Sequence, residues 1–230
     1  MRKLGKDIWF HDDVMNLAGK PLGLRMTIVK LSSGGLWVHS PTALSSELID
    51  ELKELGSVSA IVAASNGHNI WLREWQDAFP DATVYVSAGI PKKLKLTNYQ
   101  VLGESNESIW GEDLDREFML GVPLFSESVF YHKATKSLIV TDLIQNYPDE
   151  RPAGFAGFVT KFLFEPVGFK GACVAPPLKL GFMIKDKANF ALFIERILDW
   201  DFERIIVTHG DVIEANAKKV FSGLCERFIK

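Results

Sequence analysis

Two histidines and an aspartate close three apolar runs that lie far apart in the chain: VSAIVAA (58–64) leads into Ser65-Asn66-Gly67-His68, SLIVTD (137–142) ends on Asp142, and RIIVTH (204–209) ends on His209. Imidazole nitrogens and carboxylate oxygens are the ordinary ligands of divalent metals. In layered α/β sheets, groups at strand C-termini gather along one edge, where ligands bind. Residues distant in sequence can therefore meet there and hold an ion. Each also has an ordinary reading. His68 is then a polar residue of a strand-to-helix loop satisfied by backbone, Asp142 a turn or helix-cap residue, and His209 to Asp211 a turn and a cap.

The elements that must position these residues follow from hydrophobic period. MTIVKL (26–31) and GLWVHS (35–40) are β-prone runs joined by Ser-Ser-Gly-Gly, which predicts a hairpin. LSSELIDELKELG (44–56) spaces Leu44, Leu48, Leu52 and Leu55 by three and four residues, with Ser45 as cap and Gly56 as stop, and predicts an amphipathic helix. The continuous, β-branched VSAIVAA reads as a strand covered on both faces. WLREWQDAF follows as a short helix with Trp71 and Trp75 toward the core, and ATVYVS (82–87) as another strand. ESVFYH (127–132), the turn KATK and SLIVTD predict a second hairpin. NFALFIERILDW reads as a helix, RIIVTH as a strand, and EANAKKVFSGLCERF as a last helix introduced by Asp211 and Glu214 in capping-box spacing. Gly, Pro and Phe recur between 143 and 189 and predict short helical pieces and loops. The Phe/Gly-rich stretch 153–171 is either core, an apolar flap over the strand-end edge, or a contact for an apolar partner. His11 and His132 are expected on the surface. Together these elements predict a layered α/β structure in a single domain, 1–230.

With 26 Lys plus Arg against 29 Asp plus Glu, the formal charge of -3 gives no broad attraction to a polyphosphate backbone, so nucleic acid is not expected as a partner. A small-molecule substrate or ligand remains. The start, MRKLGKDIWFHDD, turns acidic before an apolar signal region develops, and no apolar run approaches the length of a transmembrane segment. Cys173 and Cys225 stand outside any CxxC pattern. A reducing cytoplasmic location is therefore expected, with one disulfide between them left open.

The order of hairpin, helix, strand with a His-containing loop, second hairpin ending in TD, and final VTHGD resembles the metallo-β-lactamase superfamily over roughly residues 24–220. GLWVHSP, the His68 loop before a Trp-containing helix, and WDFERIIVTHGD are similar to a branch of it with a degenerate metal-binding motif. The resemblance implies an α/β four-layer αββα sandwich with mixed, mainly antiparallel sheets. It also implies an HxHxDH loop, a further His before the second hairpin, a metal-bridging Asp and a late His. Laid on SNGHNIW, that loop puts Asn66 at the first His, His68 at the second, Ile70 at the Asp and Trp71 at the last His. Pro123 to Phe125 supply no imidazole or carboxylate for the next ligand. Asp142 matches the bridging Asp and His209 the late His.

Too few ligands remain for two cations. His68, Asp142 and His209 compose a 2-His-1-carboxylate set for at most one ion, zinc or iron. His39 stands where the superfamily places an acidic residue, and is either a fourth metal ligand or a donor to the ligands. Asn66 is either a weak amide ligand or a group that orients water, and Asp211 a hydrogen-bond partner for a histidine. Trp71 cannot bind metal and makes for a drier, narrower pocket. Three functions are compatible with this pattern. One is a mononuclear metal-dependent hydrolase acting on an ester, thioester or amide. Another is a mononuclear non-haem iron oxygenase acting on a small thiol or similar substrate. The last is a non-catalytic binding or scaffold protein on the same fold with no ion, which the lost ligand positions favour.

Overall fold

The computed structural model describes residues 1–17, 20–90, 94, 96, 98–103, 109–147 and 170–230. Strands β1 (Arg2–Gly5), β2 (Ile8–Leu17), β3 (Lys20–Lys30), β4 (Leu36–His39), β5 (Val58–Ala63), β6 (Thr83–Val86) and β7 (Tyr99–Val101) form one sheet in chain order. Helices α1 (Ser46–Leu55) and α2 (Leu72–Ala78) are its crossovers. A second sheet has the order β13 (Arg204–Val207), β10 (Ser137–Val140), β9 (Ser128–His132), β8 (Leu114–Phe118). Strands β11 (Ile144–Tyr147) and β12 (Gly171–Val174) pair beside it, and Asn146 bridges to Gly210. Helices α3 (Pro176–Lys179), α4 (Lys187–Asp199) and α5 (Ala217–Ile229) complete the described elements. Six strand pairs are antiparallel and four parallel, which makes the sheets mixed and mainly antiparallel.

Alternation along the strands sorts the side chains into three apolar layers. Ile28, Leu36, Val38, Ile61, Ala63, Val84 and Val86 face α1 and α2, where Leu48, Leu52, Leu72 and Trp75 cover them. Their neighbours Val29, Trp37, Ala60, Val62 and Tyr85 point the other way, onto Phe130, Ile139 and Ile206 of the second sheet. The outer face of that sheet, Val129, Leu138, Val140, Ile205 and Val207, is covered by Phe190, Phe193, Ile194, Ile197, Phe221 and Cys225 of α4 and α5. The order is therefore helix, sheet, sheet, helix, as the sequence resemblance implied. Phe130 is the keystone between the sheets, its ring edge-on to Trp37 at 4.8 Å and to Trp110 at 6.3 Å.

Local expectations mostly hold. Ser45 Oγ accepts from Leu48 N at 3.2 Å and Gly56 ends α1, a cap worth about 1 kcal/mol. Trp75 is fully buried and its Nε1 donates to Thr42 O at 2.7 Å. Two expectations need correction. His132 is buried rather than on the surface, because Thr135 Oγ1 sits 2.7 Å from its Nδ1 and satisfies it inside the hairpin. The last helix starts at Ala217 after Asn216 in left-handed backbone, with no capping box; Glu214 pairs with Arg204 at 2.8 Å instead. The hairpin read from sequence forms as β3–β4, and the β1–β2 hairpin and the long β2–β3 pair, with ten paired positions, precede it in the sheet. Cys173 and Cys225 are both free and buried. Most of the Phe/Gly-rich stretch 153–171 lies outside the described residues. Among the described residues no helix is long and apolar enough to cross a membrane.

Removing the keystone ring leaves a cavity that two flat sheets cannot close. Phe130→Ala is expected to destabilise the fold by about 3–5 kcal/mol, read as a lower denaturant midpoint at unchanged slope in urea unfolding.

Candidate metal centre

Register brings two of the candidate residues together. Strands β10 and β13 run parallel with Val140 opposite Val207, so Asp142 and His209, each two residues further on, leave the sheet side by side. The third arrives from the other sheet. Ser128 N donates to Ala64 O at 2.8 Å and Asn66 N to Phe125 O at 3.1 Å, which ties the end of β5 to the start of β9. The loop bearing His68 is thereby laid over the end of β10. The long hairpin closes the remaining side, with Gly23 O 2.9 Å from His209 Nδ1, and Arg25 donating to Gly210 O at 2.7 Å. Arg25 is itself held by Asp12.

The result is a compact set of donors. His68 Nε2 lies 3.3 Å from Asp142 Oδ1, His209 Nε2 lies 3.6 Å from the same oxygen, and the two Nε2 atoms are 3.2 Å apart. A carbonyl only accepts, so His209 Nδ1 carries a proton toward Gly23 O, and its Nε2 is the atom turned to the other two groups, a lone pair for an ion in the neutral ring and a donor to Asp142 in the protonated one. An ion bound at roughly 2.0–2.1 Å in tetrahedral geometry sets its ligand atoms about 3.3 Å apart, which is the spacing present. The donor chemistry and the geometry both fit one zinc-like cation. Among the described residues these three form the one His/Cys/Asp/Glu group close enough to share an ion. His68 and Asp142 are part-buried and His209 is buried, so the donors are largely dry yet reachable.

His39 does not join them. It is fully buried, stacked on Trp37 at 5.5 Å, with Nε2 3.2 Å from Thr141 Oγ1. Its Nδ1 has no partner among the described residues. Asn66 is committed elsewhere, since its Oδ1 accepts from Ser87 Oγ at 2.9 Å and its Nδ2 donates to Leu124 O at 3.2 Å. Ile70 is exposed and Trp71 packs against the helix-covered core. His209 uses Gly23 O rather than Asp211 as its hydrogen-bond partner.

Two supporting residues escaped sequence reasoning. Ser65 donates to Asp142 Oδ2 at 2.6 Å; as its proton goes to a carboxylate and not to an imidazole, it is no triad nucleophile. Glu127, fully buried, accepts from Thr141 N at 2.7 Å and Asp142 N at 3.0 Å, holding the turn that carries Asp142. A buried acidic residue at the start of a β-prone run was the available signal for Glu127; nothing in spacing marked Ser65.

The charges here are strongly interdependent. Burial alone pushes the Asp142 carboxyl up, but His68 and then His209 outweigh it and hold it well below the usual carboxylate range. Burial, with help from the Asp142 charge, pushes Glu127 up to about 8 against the backbone N–H groups of residues 141 to 143. Burial, then His68, push His39 down to about 3, against an upward pull from Asp142.

The family described as "Domain of unknown function (DUF4336)" matches residues 5–166. Among curated proteins none matches the chain. Among solved structures, DIM-1 metallo-β-lactamase exposed to ceftazidime superposes with TM-score 0.65 at 12% identity, covering 98% of this chain and 95% of that one. The metallo-β-lactamase from Pontibacter korlensis does so at 0.64 and 14%, covering 97% of each. FIM-1 from Pseudomonas aeruginosa, in its mono-zinc form, gives 0.62 and 12%, covering 98% and 94%. The fold is metallo-β-lactamase-like; at such identities the likeness is one of architecture.

Two outcomes test this geometry. Gly210 has φ +95° and an added Cβ would lie 1.9 Å from Asn146 O, so Gly210→Ala should cost at least about 2 kcal/mol in urea unfolding. His39 binds a proton in the unfolded chain below pH 6.5 that the folded chain refuses. Its contribution is therefore whole above pH 6.5 and is lost as pH falls from 6.5 toward 3. Glu127 acts oppositely, losing stability as pH rises from 4.5 to 8. Between pH 7 and pH 5, His39→Phe should lose about 2 kcal/mol less than the parent protein, read from denaturant midpoints at the two pH values.

Proposed function

Because the chain belongs to the family described as "Domain of unknown function (DUF4336)", whose description specifies no reaction, we propose its function from the chemistry of the site: a hydrolase using one metal ion, acting on an ester, thioester or amide of a small molecule. The observation that carries this reading is the mutual spacing of His68 Nε2, Asp142 Oδ1 and His209 Nε2, 3.2 to 3.6 Å. A metallo-β-lactamase of the same architecture, FIM-1, is known in a mono-zinc form, which supports a single ion on this framework.

A zinc ion, when bound, supplies Lewis acidity toward an acyl oxygen and toward water. The chain's own residues do the rest. Gly23 O fixes the His209 tautomer so that Nε2 faces the centre. Asp142, held ionised by the two imidazoles, contributes the negative charge that offsets a cation. Three protein donors leave positions open for substrate and water, as catalytic sites require. Ile70 and Leu124, on the loops that carry His68 and accept Asn66, are exposed apolar side chains.

The 2-His-1-carboxylate composition also suits iron(II) and dioxygen chemistry, and the metal found decides between the two. Protein purified without chelator should carry close to one equivalent of zinc by elemental analysis and show no oxygen uptake. His209→Ala and Asp142→Ala should each weaken zinc binding by more than about a hundredfold. One equivalent of iron with oxygen consumption would move the reading to an oxygenase. Protein that refuses zinc, iron and manganese in titration would leave a binding protein on the same fold.

A further inference from the structure

We propose that Ser65 is a positioning residue that confines Asp142 to one ion-facing oxygen, so that this carboxylate serves a single cation and does not span two. The inference rests on the metal-site reading above. Ser65 is 1% exposed at the end of β5. Its Oγ accepts from Gly67 N at 3.3 Å, so its own proton must point elsewhere, and Asp142 Oδ2 lies 2.6 Å away to receive it. The loop packs on that same oxygen: a Cβ at Gly67 would sit 3.6 Å from Oδ2.

The main chain of Asp142 is equally committed. Its N–H donates to Glu127 Oε2 at 3.0 Å, and the preceding N–H to Glu127 Oε1 at 2.7 Å. With backbone and Oδ2 both held, the carboxylate cannot rotate to present its two oxygens together, and Oδ1 alone faces the imidazoles. Among the described residues no further His, Cys, Asp or Glu joins the group around Asp142 to hold a second cation, and Asn66 is tied to Ser87 and Leu124. A carboxylate bound through one oxygen leaves more of the coordination sphere open than a chelating one, and hydrogen bonds behind metal ligands typically set affinity by about tenfold to a hundredfold.

Cobalt(II) is the probe, since its visible bands are intense at low coordination number and weak at high. The parent protein should take one equivalent with intense bands. In Ser65→Ala the freed Oδ2 joins the ion, so the bands should weaken and the affinity fall about tenfold to a hundredfold. Ser65→Thr, which keeps the hydroxyl, should restore both. Where Ser65→Ala does not fold, Ser65→Val, which has the shape of threonine without its hydroxyl, gives the same reading. Unchanged bands and affinity without the hydroxyl overturn the role of Ser65 and leave the metal site standing, as does an affinity loss with unchanged bands that threonine does not repair. A parent protein that binds neither cobalt nor zinc overturns the metal reading and this inference with it.

Discussion

An ionised carboxylate withdrawn from water has to be compensated where it stands, and the meeting edge of the two sheets is organised around that need. Asp142 is largely buried, and what offsets its desolvation comes from elsewhere in the chain: Ser65 and His68 from the end of the first sheet and His209 from the neighbouring parallel strand, while the buried Glu127 holds its backbone N–H. Each donor is useful only in one position. The contacts that fix the edge, Ser128 to Ala64, Asn66 to Phe125, and His209 to Gly23, are therefore as much part of the site as the ligand atoms. A buried carboxylate without these partners would shift its pKa and neutralise.

The same edge departs from the ligand pattern that the sequence resemblance implies while keeping the framework that carries it. Asn66 lies where the superfamily pattern has its first histidine, and its amide now cross-links the loop to Ser87 and Leu124. Trp71 lies at another ligand position and packs into the core beneath α2. Ile70 has turned to solvent. The Asn66 and Trp71 contacts hold the loop that carries His68. His39 borders this edge through Thr141. It remains beside the site, but stacking on Trp37 and full burial hold its ring neutral, in a role of packing and hydrogen bonding to Thr141.

Much of the architecture was legible because its cause is local. The spacing of Leu48, Leu52 and Leu55 with Ser45 ahead of them specifies α1, and the β-branched run of β5 specifies a strand covered on both faces. Misreadings fell where a distant partner overrode the local signal. His132 looked like a surface residue at a turn until Thr135 supplied a bond that let it be buried. Asp211 and Glu214 had the spacing of a cap, yet Arg204 took Glu214 and the Asp211 backbone went to Asn146. The β2–β3 hairpin is charged and polar over much of its length, so no clean alternation marked it. It nevertheless supplies Gly23 and Arg25 to the site.

By itself, the sequence determined which side chains were available at the ends of β5, β10 and β13. It did so because residue type and strand periodicity are properties of short segments. Tertiary structure alone decided that His68, Asp142 and His209 converge while His39 stands apart, and that Ser65 and Glu127 support the carboxylate. Those outcomes depend on the register of β10 against β13 and on how one sheet is pinned to the other, and distances of a few ångströms across such contacts are encoded in no local pattern.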